Sequence, residues 1–195
     1  DMFYRFAVPN WHLVRFKPPL DCSENSNWRV ELRSMDVAPT SEENAAFAIF
    51  CLLLVQAIFK YNLNFYIPIS KNDENVARGH KLDSILKEKF WFRKCFDQDS
   101  PDEYVELTIE EILNGKEEIN FVGLLQIIKR FCKEEYGVDI EEEWNEYQKD
   151  PKNTKISEFG MNMKYLEILN DRAKGKKPTV ARWIRDFVKR HPKYQ

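Results

Sequence analysis

Alternating apolar and charged residues near the front of the chain predict one half-buried β-strand. From residue 28 to residue 35 the sequence reads WRVELRSM. Because successive side chains of a strand point to opposite sides, the apolar residues fall on one face and the charged residues on the other. The charged face holds Arg29, Glu31 and Arg33. A single strand leaves its backbone groups unpaired, so we expect its sheet partners to lie largely in sequence outside this chain.

The residues before this strand predict no regular element. They are rich in aromatic residues and in prolines, and Pro9, Pro18 and Pro19 interrupt any helix or strand. Polar residues 21–27 read as a loop. We therefore expect residues 1–40 to form a loop-rich segment that carries one strand.

The remainder of the chain, residues 41–195, follows mostly helical periodicity. Thr40 to Glu43 has capping-box spacing, and the long helix expected from Ser41 to Tyr61 is apolar almost all round. A helix without a polar face is normally buried by others on several sides, so this is the expected central helix. Further helices are predicted over residues 73–95, 108–113, 121–136, 157–173 and 179–190, with an extended segment at 62–69, a polar link at 98–103 and an acidic stretch at 140–148. The fold class expected is α+β and mostly α.

Composition excludes several classes of protein. Among 195 residues, 43% are hydrophobic and 32% are charged, which is typical of a globular chain. The net charge of -2 gives no electrostatic argument for a nucleic-acid partner. The longest apolar run, from Ala45 to Val55, is about half of the ~20 residues that a bilayer span needs. The start of the chain has no signal-peptide pattern, and we expect no membrane partner.

The four cysteines are widely spaced and form no CxxC pair: Cys22, Cys51, Cys95 and Cys132. This spacing fits neither a zinc knuckle nor a secreted disulfide framework, so we expect a cytoplasmic protein. A redox role for any of the four is left open. The first residue is Asp1 rather than methionine, which suggests a piece of a longer chain.

The charged face of the predicted strand is the candidate site. A carboxylate there can bind Mg²⁺ while a neighbouring guanidinium grips a phosphate oxygen, and phosphoryl transfer needs both. Arg15 and Lys17 add two cations shortly before the strand. The alternative, which spacing alone favours, is that these charged residues form the solvent-exposed face of an antiparallel strand, where they screen one another. The chain contains no Gly-rich phosphate loop, no nucleophile elbow and no histidine pair at ligand spacing.

Several short motifs extend the interpretation beyond spacing. In order along the chain they are NW at 10–11, RFKPP at 15–19, WRVELRSM at 28–35, IPISK at 67–71, DEN at 73–75, FRK at 92–94, NGKE at 114–117, RA at 172–173, TVARW at 179–183 and HP at 191–192. Together they resemble the hallmark segments in the C-terminal portion of the catalytic subunit of eukaryotic glutamate–cysteine ligases. The resemblance covers most of the chain from Asn10 onward, except for Glu134 to Ser157.

The resemblance implies a fold and a reaction. The fold is that of glutamine-synthetase-like carboxylate–amine ligases, in which helices pack outside an antiparallel sheet, most of whose strands are missing here. ATP phosphorylates the γ-carboxylate of L-glutamate, and the amine of L-cysteine then attacks the acyl phosphate, which is the first step of glutathione biosynthesis. Mg²⁺ ions bridge the phosphates and carboxylates of the enzyme, and glutathione inhibits by occupying the amino-acid sites.

The resemblance also implies roles for individual residues. Glu31 matches the magnesium ligand of the family, and Arg33 matches the catalytic arginine that holds the γ-phosphate of ATP. Arg29, Arg15 and Lys17 lie in matching motifs and are expected to contact ATP or substrate. The other magnesium carboxylates and most of the amino-acid pockets belong to the N-terminal half of the family, which no segment here matches.

Two consequences follow for partners and activity. The chain is expected to act with the rest of the same polypeptide and to be inactive alone. Animal enzymes of the family pair with a modifier subunit whereas others act alone, and the sequence leaves both alternatives open. The competing hypothesis is a non-catalytic helical domain whose aromatic helices dock a partner protein.

Overall fold

The computed structural model describes residues 14–18, 28–33, 35, 38–152 and 154–194. The described residues fall into two compact units, one before Ala38 and one from Ala38 onward. Most of the regular structure is helical, and each unit contains one small antiparallel sheet. This confirms the α+β class with a predominance of helix.

The first unit is a β-hairpin. Its strands, β1 (Val14–Lys17) and β2 (Arg29–Leu32), are antiparallel, and Phe16 lies opposite Val30. The predicted strand is confirmed, although it is shorter than residues 28–35. The expectation that residues 1–28 form no regular element was wrong at β1, which also supplies a sheet partner within this chain. Its four residues alternate apolar and charged, a strand pattern that was too short to be noticed beside prolines.

The second unit consists mainly of helices. Its long helices are α1 (Ser41–Tyr61), α2 (Ile69–Gly79), α5 (Leu124–Tyr136), α6 (Ile140–Lys149), α7 (Asn162–Ala173) and α8 (Val180–Arg190). Its short ones are α3 (Ser84–Lys87) and α4 (Ile109–Asn114), with 3₁₀ turns at Glu117–Ile119 and Pro192–Tyr194. A hairpin of β3 (Phe90–Arg93) and β4 (Tyr104–Leu107) packs beside α2.

The core of this unit surrounds α5. That helix contacts α1, α4 and α6, while α7 packs against α1, α4 and α6. The most deeply buried large side chains are Leu107, Ile128, Cys132, Ile140 and Leu166. Apolar residues of α5 recur at helical spacing, so burying that single stripe drives the packing.

Helix α1 differs from the expected central helix. Thr40 caps it as predicted, because its side chain accepts a hydrogen bond from the Glu43 amide at 3.2 Å. Only Ala46, Leu53 and Ala57 are buried, on the side that faces α5 and α7. The outward side chains Leu52, Val55 and Phe59 are 59%, 42% and 81% exposed. The prediction of burial on several sides was therefore wrong for the described residues.

The same helix satisfies, by length and composition, the requirements of a bilayer span. The run from Ala45 to Val55 underestimated its apolar length, because small and uncharged residues extend the stretch toward both ends. Core helices of globular proteins pass the same test, so this one helix is weak evidence for a membrane.

The predicted helix over residues 73–95 was also wrong. Helix α2 ends at Gly79, α3 occupies one turn, and β3 follows as a strand. The polar residues after α2 interrupt the helix, and Asp83 adopts a left-handed φ of 56°. Within the hairpin, buried Arg93 donates to the carbonyl oxygens of Cys95 and Ser100 and to the Asp102 carboxylate. The polar link at 98–103 is confirmed as loop, whereas β4 was not predicted.

Candidate functional site

The register of the first hairpin gathers the candidate residues on one face. Arg15 lies opposite Glu31, and Lys17 lies opposite Arg29. Directly opposed residues of an antiparallel pair project to the same side of the sheet, as do alternate residues of one strand. The four side chains therefore share a face. Arg33, one residue past the end of β2, joins them through its contact with Glu31.

Glu31 is the centre of this charged face. Its Oε1 accepts a hydrogen bond from Arg33 Nε at 2.5 Å, and its Oε2 forms an ion pair with Lys17 Nζ. The side chains of Glu31, Arg33 and Lys17 are 29%, 28% and 37% exposed. The acid and the guanidinium thus lie on the same side of the backbone, partly sheltered but still open to solvent.

The two cations change the acidity of Glu31. The hydrogen bond from Lys17 contributes most, followed by that from Arg33, and together they hold the pKa of Glu31 below its usual value of 4.5. Partial desolvation acts in the opposite direction without reversing the shift. Glu31 is therefore a carboxylate at neutral pH, which is the form that binds a cation.

The balance of charge on this face favours an anion. Among the described residues of this face, one carboxylate stands beside four cationic side chains and forms ion pairs with two of them. Arg29 is exposed at the edge of β2, and Arg15 is half-buried on β1. Guanidinium groups bind phosphate oxygens in bidentate fashion, so such a face suits a polyphosphate better than a neutral ligand.

Among the described residues of this face, Glu31 is the one side chain that could serve as a magnesium ligand. The residues that the structure describes contain no group of three or more side chains suited to hold a metal. Mg²⁺ keeps several water ligands and commonly takes one or two carboxylates together with substrate phosphates. Glu31 fits as one such carboxylate, and the remaining ligands would come from the phosphates, water and residues outside the described part.

The described histidines and cysteines all belong to the second unit and form no group suited to hold a metal. His80 Nδ1 lies 2.7 Å from the carbonyl oxygen of Val76 in its own helix, and His12 and Cys22 lie outside the described residues. Burial raises the pKa of the Cys132 thiol to about 11 and also raises that of Cys51. Both thiols are therefore less reactive than an ordinary cysteine. Cys51 is half-buried, whereas Cys132 is fully buried and packs as a small apolar side chain of the core.

The acidic residues 141–143 at the start of α6 have different surroundings. Glu141 pairs with Lys129 on the surface. Glu143 instead accepts hydrogen bonds from the Ser157 amide at 3.0 Å and the Ser157 hydroxyl at 2.6 Å. It holds the loop that leads into α7, which is a structural role that helical spacing alone did not reveal.

Sequence reasoning missed the pairing of Lys17 with Glu31. The two residues belong to different strands, and only the strand register brings them together. The signal that could have found it was the matching alternation in VRFK and RVEL, which places charged residues on equivalent faces of both strands.

Comparison with known proteins gives a consistent result. The family model for glutamate–cysteine ligase matches residues 1–195. A glutamate–cysteine ligase of Dictyostelium discoideum is 38% identical over 199 residues, which cover 100% of this chain and 29% of that protein. A glutamate–cysteine ligase of Schizosaccharomyces pombe is 37% identical, and the match covers 99% of this chain and 27% of that protein. A human glutamate–cysteine ligase catalytic subunit is 35% identical, and the match covers 100% of this chain and 30% of that protein. The chain spans less than a third of the length of these relatives. Since the match runs along the whole chain, the chain belongs to the glutamate–cysteine ligase family.

Proposed function

We propose that this chain is the part of a longer glutamate–cysteine ligase that contributes the hairpin face of β1 and β2 to the ATP and magnesium site. The reaction is the ATP-dependent ligation of the γ-carboxylate of L-glutamate to L-cysteine. The observation that carries the proposal is the convergence of Glu31 and Arg33 on one side of the hairpin, among further cations. Family membership makes phosphoryl transfer the chemistry that such a face would serve.

Each residue has a specific role in this proposal. Glu31 is the magnesium ligand, and Arg33 is the catalytic arginine that binds the γ-phosphate of ATP. Arg15, Lys17 and Arg29 add positive charge that attracts the triphosphate and neutralises the charge that develops during transfer. Glu31 would hold the Mg²⁺ ion, which would supply electrostatic stabilisation of the charge on the phosphates. Before the metal and the nucleotide bind, Lys17 and Arg33 keep Glu31 ionised and oriented.

The glutamine-synthetase-like fold is part of the same proposal. Two strands are too few to form the antiparallel sheet of that fold. The apolar side of the hairpin is also uncovered among the described residues. Val14, Val30 and Leu32 on that side are 40%, 58% and 40% exposed. We therefore place the other strands, the remaining magnesium ligands and the amino-acid pockets in the rest of the polypeptide. We also propose three properties from the resemblance to the family. They are a cytoplasmic location, inhibition by glutathione and a modifier subunit as partner.

Substitutions at the hairpin face test the proposal. In the full-length ligase, Glu31→Ala and Arg33→Ala should each lower kcat about 100-fold or more, because the first removes a magnesium ligand and the second removes a cation that binds the transferring phosphoryl group. Circular dichroism and thermal melting should show that both variants remain folded. The measurement is the rate of ADP release in the presence of glutamate, cysteine and Mg²⁺.

Glu106 offers a matched control. It is also a glutamate on a short strand, it also pairs with an arginine, and Arg78 Nη1 donates to it at 2.5 Å. Glu106→Ala should leave kcat within about twofold, since Glu106 pairs on a surface hairpin of the other unit. If Glu31→Ala and Arg33→Ala behaved like Glu106→Ala, the competing hypothesis of a non-catalytic helical interaction domain would be preferred.

A further inference from the structure

The last long helix, α8, is amphipathic but is turned with its apolar side outward. Trp183, Ile184, Phe187 and Val188 form one stripe, because they are spaced by three and four residues. These side chains are 51%, 49%, 53% and 40% exposed. An apolar stripe on a short helix normally faces the core of its own domain, which this stripe does not.

A contact on the opposite side of α8 fixes this orientation, because Arg185 Nη2 donates to Asp83 Oδ1 at 3.2 Å. Arg182 and Asp186, which form an ion pair within the helix at 3.9 Å, lie on the same polar side. Residues 182, 185 and 186 are each less exposed than the residues of the apolar stripe. The polar side of the helix therefore lies nearer the body of its own unit, and the apolar side is presented as a surface.

The apolar stripe lies on a capped helix with ordered side chains. Thr179 caps the helix by accepting a hydrogen bond from the Arg182 amide at 3.3 Å. The rings of Trp183 and Phe187 are stacked, with centroids 5.4 Å apart and an interplanar angle of 16°. An isolated helix of 11 residues is marginal in water, so a helix with so little buried surface needs a further partner for stability. Tryptophan and other aromatic residues are enriched at the centres of protein interfaces.

We propose that this stripe packs against a part of the full-length ligase polypeptide that lies outside this chain, an inference that rests on the proposed function. Relatives that match 99–100% of this chain extend over about three times its length, so most of their chain is available to cover the helix. The charge beside the stripe indicates the chemistry of the covering surface. Arg190 lies seven residues after Trp183 and so on the same side of the helix, which fits an apolar groove with a carboxylate at its edge.

Hydrogen–deuterium exchange tests the proposal. Amides of residues 180–190 should exchange at least about 10-fold more slowly in the full-length ligase than in the 195-residue chain, because packing suppresses local opening. In the full-length protein Phe187→Glu should abolish this protection, and in the 195-residue chain it should change little because the ring is already exposed there. Lys189→Glu introduces the same side chain on the polar side of the same helix and should retain the protection. Equal exchange of the helix in the two wild-type proteins, or full protection in Phe187→Glu, would overturn the proposal.

Other occupants give different results. Basic amphipathic helices also bind anionic membranes. Sedimentation of the full-length protein with phosphatidylserine vesicles, if lost in Phe187→Glu, would assign the stripe to a lipid surface and overturn the proposal. Protection that depends on protein concentration and is lost in Phe187→Glu would assign it to a second copy and overturn it likewise. The exchange readout is independent of turnover, so unchanged kcat in Glu31→Ala would refute the proposed site and leave this interface standing.

Discussion

At the scale of single residues, Glu31 combines two properties that a magnesium ligand needs. It is ionised, because Lys17 and Arg33 stabilise its charged form, and its side chain is 29% exposed although its Oε2 is covered. Both cations are on long flexible side chains, so in the proposed site they can turn from the carboxylate to a phosphate and uncover it. The alternation of charge in the sequence indicated the acid and the arginine, whereas the contribution of Lys17 depends on strand pairing.

The acidity of Glu31 is a testable consequence. Its titration midpoint, followed by NMR of the side-chain carboxyl carbon, should lie below 4.5 in the folded protein. Because the folded pKa is lowered, the contribution of this ion pair to stability is complete above pH 4.5. That contribution is lost as the pH falls through the lower, folded value.

Substitution of Lys17 separates the causes of this shift. Lys17→Met should move the midpoint upward toward 4.5, since the hydrogen bond from Lys17 is the largest cause. Lys81→Met, which removes a lysine that pairs with Glu88 in the other unit, should leave the midpoint where it was. A wild-type midpoint at or above 4.5 would be inconsistent with the hairpin geometry.

At the scale of elements, the connection between α4 and α5 depends on two glycines in close contact. Gly115 has a φ of +93°, and a Cβ on Gly123 would lie 2.3 Å from the Gly115 nitrogen and 2.5 Å from the Leu113 oxygen. The turn is further tied by Gln126, whose side-chain amide donates to the Asn114 carbonyl oxygen at 3.0 Å. The sequence predicted a helix over residues 108–113, but it did not reveal that Gly123 must approach the end of this helix so closely.

Gly123→Ala should destabilise the protein substantially. The added methyl group meets backbone atoms that cannot move aside, so we expect a loss of about 2–3 kcal/mol in the free energy of unfolding, measured with urea. Gly79→Ala is the control, because nothing lies within 4 Å of its Cβ position at the end of α2. It should be neutral or stabilising by up to about 1 kcal/mol. Equal effects of the two substitutions would show that the close contact is absent.

The segment from α2 to β3 illustrates why one element was predicted wrongly. Val76, Leu82 and Leu86 fit helical spacing by chance, but Gly79 and the polar residues after it end the helix. The FWFR sequence becomes a strand because it pairs with YVEL, and because buried Arg93 is satisfied by the loop that joins the two strands. A strand of four residues carries too little local signal to outweigh an apparent helical period.

At the scale of the whole molecule, apolar surfaces are uncovered in both units. They include one side of the first hairpin, the outward face of α1 and the stripe on α8. Exposed apolar patches of this kind mark interaction surfaces. Since relatives of the chain are about three times as long, the remaining polypeptide is the simplest cover for these surfaces.

The isolated chain should therefore be inactive. Incubated with ATP, Mg²⁺, glutamate and cysteine, the 195-residue chain should form no γ-glutamylcysteine above the level seen with its Glu31→Ala variant. The physical reason is that the described residues offer one proposed magnesium carboxylate, Glu31, whereas positioning of all three substrates requires a complete site. The full-length ligase, assayed in parallel by mass spectrometry, is the positive control. Product formation that disappears in Glu31→Ala would contradict this expectation.

The sequence by itself determined the features that depend on neighbours along the chain. Helix starts such as Thr40 and Thr108, the helix end at Gly137, the charged face of β2 and the family motifs all follow from short-range patterns. Tertiary structure decided the features that depend on distant residues: the register that pairs Lys17 with Glu31, the second hairpin, and the sides of α1 and α8 that stay exposed. Capping and helical periodicity are set within a few residues, whereas strand pairing and burial depend on contacts that only the folded chain creates.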